Sequence, residues 1–234
     1  MLLNRWFRFP TVCLLLLIAT TFCRADTWDA ASSFEQGFVN QSNPNGVWSY
    51  GWSSNFTTPI TLYDQTAQGI YNGPNAQFWL SSTHDIGGSP AAEYNDGPAF
   101  DNGNVDFLQD EFLLVAGIGG EYSDLVFTAP ATGTYSLASS FRGAQYGIGV
   151  VVGVVVNGNV VFNSTVTSVN EVVPFNTDLT LSAGDTVVLS VGPGNGTQNT
   201  GVAATFTSVP EPSSLLLIGT AGLGGLLRLR RFRV

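Results

Sequence analysis

Between residues 26 and 208, apolar and polar positions alternate in short β-rich runs broken by turn clusters roughly every ten residues, a rhythm of half-buried strands. The clearest run spans Val150 to Phe162. There Val154, Val155 and Val156 and then Val160, Val161 and Phe162 flank Asn157-Gly158-Asn159, and Asn-Gly supplies the positive φ angles that a two-residue hairpin turn requires. A second pair, Thr180 to Ser182 and Thr186 to Val191, is joined by Ala183-Gly184-Asp185. In it Val187, Leu189 and Val191 alternate with Thr186, Val188 and Ser190, which directs one apolar face inward. Tyr135, Leu137 and Phe141 keep a similar phase, as do Val202, Ala204 and Phe206. No segment of this stretch holds a sustained helical period. The pattern therefore predicts an all-β sandwich or barrel, with helix mainly at the two chain ends.

The ends have a different character. Residues 1–25 carry Arg5 and Arg8, an apolar run from Val12 to Ala19, and then Cys23-Arg24-Ala25, the layout of a secretion signal that a signal peptidase would cut after Ala25. The apolar run is shorter than the roughly 20 residues of a spanning helix. At the other end Val209-Pro210-Glu211-Pro212 precedes an apolar segment, 213–227, and a basic cluster of Arg228, Arg230, Arg231 and Arg233. Two prolines so close together cannot lie inside a helix, so they mark the end of the β domain. The continuous apolar stretch from Leu215 to Leu227 would be about 20 Å long as a helix, against a bilayer core of about 30 Å, and it is loosened by four glycines. It would span a membrane only marginally, with the arginines on the cytoplasmic side and the domain outside. The chain thus divides into a signal peptide (1–25), a β domain (26–208) and a sorting tail (209–234).

Charge sharpens this division. Seven of the eight basic residues lie in the ends, there is no lysine, and residues 26–208 hold 16 acidic residues against Arg142 alone, a formal charge of −15. Such a surface is unsuited to nucleic acid, whose affinity rests on Lys and Arg at phosphates. It favours solubility and cation binding. Both cysteines, Cys13 and Cys23, fall in the leader, so the domain has neither a disulfide scaffold nor a thiolate metal site.

Candidate chemistry is sparse. His84 is the only histidine and lies in a polar loop, where a solvated side chain is expected; no Gly-x-Ser-x-Gly elbow and no Walker loop occur. A glycosidase-type carboxylate pair is the one catalytic class left, and it would require one acid raised by burial. Asp96, Asp101, Asn102, Asn104 and Asp106 crowd one Gly-rich stretch. Hard cations seek such oxygens, which makes Asp96, Asp101 and Asp106 candidate Ca2+ ligands; a solvated acidic loop is the alternative. Trp48, Tyr50 and Trp52 stand at i, i+2 and i+4 and share one strand face. They could form a platform for sugar rings, or they could be the core of the sandwich.

The order of Pro210-Glu211-Pro212, apolar segment and arginine cluster resembles the PEP-CTERM sorting signal of bacteria that make exopolysaccharide. The resemblance implies recognition at the Pro-Glu-Pro by a membrane exosortase, which cuts there and releases the protein or transfers it to the surface. Leu125-Val126-Phe127-Thr128-Ala129-Pro130, Thr132-Gly133-Thr134-Tyr135, Val156-Asn157-Gly158 and Gly184-Asp185-Thr186-Val187 look like the jelly-roll cargo domains of that family, which are related to carbohydrate-binding modules. Asn43 to Trp52 looks like their opening. What this implies is a jelly-roll-like antiparallel β-sandwich flanked by a signal helix and a membrane helix. The function expected is that of an exported, non-catalytic surface or matrix protein touching exopolysaccharide. Its rivals are a structural matrix protein without a ligand, a glycosidase, and an ice binder, for which Thr165 and Thr167 alone make no ladder.

Overall fold

The computed structural model describes residues 25–147, 149–194 and 199–210. The apolar run of the leader, Glu211, Pro212, segment 213–227 and the cluster from Arg228 to Arg233 lie outside the described residues. In chain order the first elements are β1 (Thr27–Asp29), α1 (Ala30–Asn40), β2 (Trp48–Ser53), β3 (Thr61–Leu62), β4 (Gln65–Gln68) and β5 (Ala76–Leu80). Then come β6 (Ala91–Asn95), β7 (Phe100–Asp101), β8 (Asp106–Phe107), β9 (Phe112–Val115), β10 (Tyr122–Thr128) and β11 (Gly133–Gly143). The last are β12 (Val150–Val156), β13 (Asn159–Val166), β14 (Val172–Leu181), β15 (Thr186–Val191) and β16 (Asn199–Val209).

The strands build a jelly-roll-like antiparallel sandwich. The larger sheet runs β14-β11-β16-β9-β6-β5-β4, with β1 also on β16; the smaller runs β13-β12-β15-β10-β2-β3. Alternation explains what lies between them. Tyr135, Leu137 and Phe141 of β11 and Val202, Ala204 and Phe206 of β16 meet Leu125 and Phe127 of β10 and Val187, Leu189 and Val191 of β15 in one buried cluster. Phe127 and Phe206 stack at 3.8 Å across the two sheets. Asp26 and Ser208 are joined by their own backbone bond, Ser208 N donating to Asp26 O at 2.8 Å.

The Asn-Gly hairpin forms as its chemistry requires. β12 and β13 pair antiparallel, and Asn157 and Gly158 have φ of 49° and 77°. The second pair is corrected: β14 belongs to the larger sheet and β15 to the smaller, so residues 182–185 carry the chain between layers instead of closing a hairpin. Alternation tells which face of a strand is buried but not which strand lies beside it; Leu181 and Val187 enter one core from opposite sheets.

The expectation that helix is confined mainly to the ends is also corrected by α1. Asp29 caps it, its Oδ1 accepting from Ser32 N at 3.0 Å, and Gln41 ends it at φ 52°. Ala30, Phe34 and Gly37 form its buried stripe, and Phe34 packs on Tyr50, Phe112 and Tyr94 at 5.0, 5.3 and 6.0 Å. Ser32, Ser33 and Gly37 are poor helix formers, so this short helix is held by its packing rather than by propensity.

On β5, β6 and β9 both faces are buried. Trp79, Tyr94, Phe112 and Leu114 join the inter-sheet core, while Phe78, Leu80, Ala91, Leu113 and Val115 form a second cluster on the outer face. That cluster is covered by Phe100, Val105 and Phe107 of the β7–β8 hairpin. The acidic stretch from Asp101 to Asp106 is therefore the turn of a lid whose apolar flanks are buried.

Candidate functional site

Arg142 fastens this lid to the larger sheet. It lies on the outward face of β11, out of phase with Leu137 and Phe141. Its Nε and Nη2 grip the two carboxylate oxygens of Glu111 at 2.7 and 2.6 Å. Nη1 reaches Asp106 Oδ2 at 3.2 Å and Asn170 Oδ1 at 2.6 Å, and Nη2 also donates to Asp106 O at 2.7 Å. The planar fork suits this bidentate arrangement as no lysine could. Arg142, Glu111 and Asp106 side chains are only 11, 13 and 17% exposed.

Beside the clamp lies an open groove of about 340 Å³. Its floor is Ser140 of β11 with Gly201 and Ala203 of β16; one wall is the 108–111 segment with Arg142, and Asp29 and Ala31 stand opposite. Gly201 is required by this wall, since any side chain there would strike the Glu111 carboxylate. Asp29 is held in place by Thr205, whose Oγ1 donates to Oδ2 at 3.0 Å. The floor is small, Leu108 and Val172 add exposed apolar surface, and Gln109, Asp110 and Ser140 offer donors and acceptors. Such a mixture can take a ligand with both apolar and hydroxyl-bearing edges.

The aromatic platform is corrected. Trp48 and Tyr50 are 1% and 0% exposed and belong to the inter-sheet core, because the face they share with Trp52 is the inner one. Trp52 is partly buried and carries the imidazole of His84 flat on its ring at 4.2 Å. His84 is thus no freely solvated side chain; its Nε2 meets Glu121 Oε1 at 2.8 Å.

The Ca2+ reading of Asp96, Asp101 and Asp106 is corrected as well. Asp106 is held by Arg142, Asp96 accepts from Gln77 Nε2 at 3.1 Å, and Asp101 accepts from Gly103 N at 2.8 Å and Tyr146 OH at 3.2 Å. Asn102 Oδ1 accepts from Asn104 N and Val105 N, both at 2.9 Å. Asp and Asn crowd here because their side chains close a tight turn on its own backbone. Among the described residues no group of three or more His, Cys, Asp or Glu could hold a metal ion.

Two acids escaped the reading of the sequence. Glu93 of β6 is 1% exposed, and burial pushes its carboxyl up to about 8 although Asn72 Nδ2 donates to its Oε2 at 2.7 Å. Asp124 of β10 is also 1% exposed and is pushed up to about 6 by burial, against the opposing bond from Ser190. The signal was present: each is an acid set among apolar strand residues, in Ala91-Ala92-Glu93-Tyr94 and Asp124-Leu125-Val126. They stand on different sheets, and neither lines the groove.

Among solved structures, the chain is similar to a family 35 carbohydrate-binding module from Clostridium thermocellum, at 16% identity over 61% of this chain and 95% of that one, with a TM-score of 0.29. A family 35 module from Paenibacillus barcinonensis gives 14% identity over 60% and 97%, with a TM-score of 0.30. A family 36 module solved with calcium and xylotriose gives 18% over 47% and 86%, also at 0.30. No curated protein matches the chain. Among the described residues no helix is long and apolar enough to cross a membrane. Residues 208–231 match the PEP-CTERM protein-sorting motif, and the chain therefore carries that sorting tail.

Proposed function

We propose that this protein is exported, processed at its tail by an exosortase, and works on the cell surface or in the extracellular matrix by contacting exopolysaccharide without catalysis. The sorting motif supports the delivery. The observation that carries the contact is the groove on the larger sheet, with a small-residue floor and walls held by Arg142 and by the Asp29–Thr205 bond. A saccharide ring, apolar on its faces and hydroxylated at its edges, suits such a lining better than a purely apolar or purely charged ligand.

Two measurements test the two halves. Mass spectrometry of surface fractions is expected to find a mature chain that starts at Asp26 and ends near Pro212; a chain retaining Arg228 to Arg233 would refute the processing. Affinity electrophoresis in the producer's own polysaccharide is expected to show retardation, reduced at least about tenfold by Ala203→Trp. Ala203 is exposed, so this change fills the groove while altering stability by less than about 1 kcal/mol. The loss of the aromatic platform favours one second reading, a structural matrix protein without a ligand, which the absence of any retardation would support.

A further inference from the structure

The edges of the two sheets are not alike. The larger sheet ends in β14 and β4, the smaller in β13 and β3. A bare edge offers unpaired N–H and C=O groups to any other strand, and proteins blunt such edges by shortness, proline or charge. β3 and β4 are two and four residues long, and β14 carries Pro174 and the exposed Asp178. β13 has eight residues and contains neither charge, proline nor glycine. Its one irregularity, a shift of register against Val154 and Val155, lies at the hairpin end and leaves residues 162–166 regular.

Register tells which backbone groups are free. Gly192 N donates to Val151 O at 2.7 Å, so the backbone of Val151 is turned toward β15. Backbone direction alternates along a strand, so Val150, Val152 and Val154 turn toward β13, where they face Val166, Ser164 and Phe162. Asn163 and Thr165 therefore direct their N–H and C=O groups to the open side, with no partner among the described residues. Beyond them Thr167 N is already bonded to Glu171 Oε2 at 2.6 Å. Val160 and Val161 are 44 and 48% exposed on this strand. Phe162 and Phe175, their rings 4.8 Å apart, are only partly buried where the flank of the core opens between β13 and β14.

Charge indicates what can approach. No Asp or Glu occurs from Leu125 to Asn170, a stretch that includes β11, β12 and β13, and the sole charge within it is Arg142, committed to the lid. All 16 acids of the body lie outside that stretch. A cationic partner would be drawn to those acids, whereas a partner that is itself strongly acidic meets the least repulsion along this flank.

We propose that β13 is the contact between two copies of this chain, paired antiparallel about a twofold axis into one continuous sheet. Placing Asn163 opposite Thr165 of the second copy engages all four free groups of each strand and brings the two Ser164 residues together on the axis. In that register Phe162 lies beside Val166 of the second copy, which covers the open flank, and no carboxylate of either β13 is brought into the contact because the strand has none. The contact is isologous, so it closes at a dimer.

Two measurements on the full chain test this. The first is sedimentation equilibrium with the apolar tail shielded by detergent. It is expected to show a monomer–dimer equilibrium that Thr165→Pro weakens at least about tenfold, since proline removes one edge donor from each copy while sparing the bonds to β12. A cooperative thermal transition verifies the fold of that variant. Asn163→Asp, an exposed change of nearly equal size, is the second variant: its carboxylates should weaken the dimer at low salt and release it from repulsion as salt is added. A monomer at every concentration up to about 0.1 mM, or association that neither variant alters, overturns the proposal. The second measurement is oxidative cross-linking of Ser164→Cys in a chain whose Cys13 and Cys23 are replaced by serine. Facing residues of a non-hydrogen-bonded pair stand about 4.5 Å apart at Cα, within reach of a disulfide, so a linked dimer is expected. Thr180→Cys, exposed on β14, should give none. No linkage through Ser164→Cys, or equal linkage through both, refutes the pairing.

Discussion

Arg142→Met is expected to destabilise the protein by about 3 kcal/mol, or roughly 6 to 12 °C in Tm for a domain of this size. Methionine keeps most of the aliphatic stem but removes the fork that holds Glu111 and Asp106, whose side chains are 13% and 17% exposed. Two poorly hydrated carboxylates would then face each other across the vacated space, with the 16 acids of the body offering no substitute cation. Arg142→Lys should recover only part of the loss, because an ammonium cannot span both Glu111 oxygens while reaching Asp106 O and Asn170. Adding Glu111→Gln to Arg142→Met should recover part as well, by removing one of the stranded charges. The same variant should loosen the β7–β8 lid and with it the wall of the groove, so polysaccharide retardation should weaken in parallel. Thermal and urea unfolding check the first effect; a loss under about 1 kcal/mol would mean that Phe100, Val105 and Phe107 hold the lid unaided.

This clamp also marks how far the sequence could be read. Arg142 stood out as the sole positive charge of the body, but its partners come from positions 31 and 36 residues away, and nothing in a linear pattern joins them. Local chemistry was legible: Asn157-Gly158 could scarcely be anything but a hairpin turn, and the phases of Tyr135, Leu137 and Phe141 or of Val202, Ala204 and Phe206 marked a buried face. What alternation could not supply was direction. The shared face of Trp48, Tyr50 and Trp52 was correctly a single face, yet the same spacing serves an exposed platform and a core, and only the opposing Phe127 and Phe206 decide between them. For the same reason 182–185 read as a hairpin although it joins two sheets. The Asp and Asn residues from 101 to 104 have the composition of a cation loop, but short polar side chains that bond their own backbone have that composition too. The groove was illegible throughout, since its floor is made by the absence of side-chain bulk at Ser140, Gly201 and Ala203 on strands distant in sequence.

The buried acids lead to the largest expected effect, a stability that falls as pH rises through neutrality. Glu93 has a folded-state pKa of about 8 against an ordinary 4.5, set by burial and only partly opposed by Asn72. Between those two values the folded chain binds a proton that the unfolded chain releases, so the slope of unfolding free energy with pH is negative there. The stability is fully present below about pH 4.5 and is lost progressively up to about 8, a total of roughly 3 to 5 kcal/mol. Asp124, pushed up to about 6 from 3.8, acts with the same sign in a lower window. Asp64 and Glu171 act oppositely: bonds from Ser82 and Thr167 hold them below the usual carboxylate range, and what they contribute is lost only as pH falls beneath it. Urea unfolding at intervals from pH 5 to 9 should therefore show a decline that is steepest below about pH 6, where both groups act, continues to about pH 8 through Glu93 alone and levels off above it. Glu93→Gln, which carries no charge to bury, should flatten the curve above pH 6 and exceed the wild type at pH 9, while Asp124→Asn should flatten it only below about pH 6.5. A wild-type curve level from pH 6 to 9, or a slope that survives in Glu93→Gln, would show that Glu93 is not the group whose ionisation opposes folding.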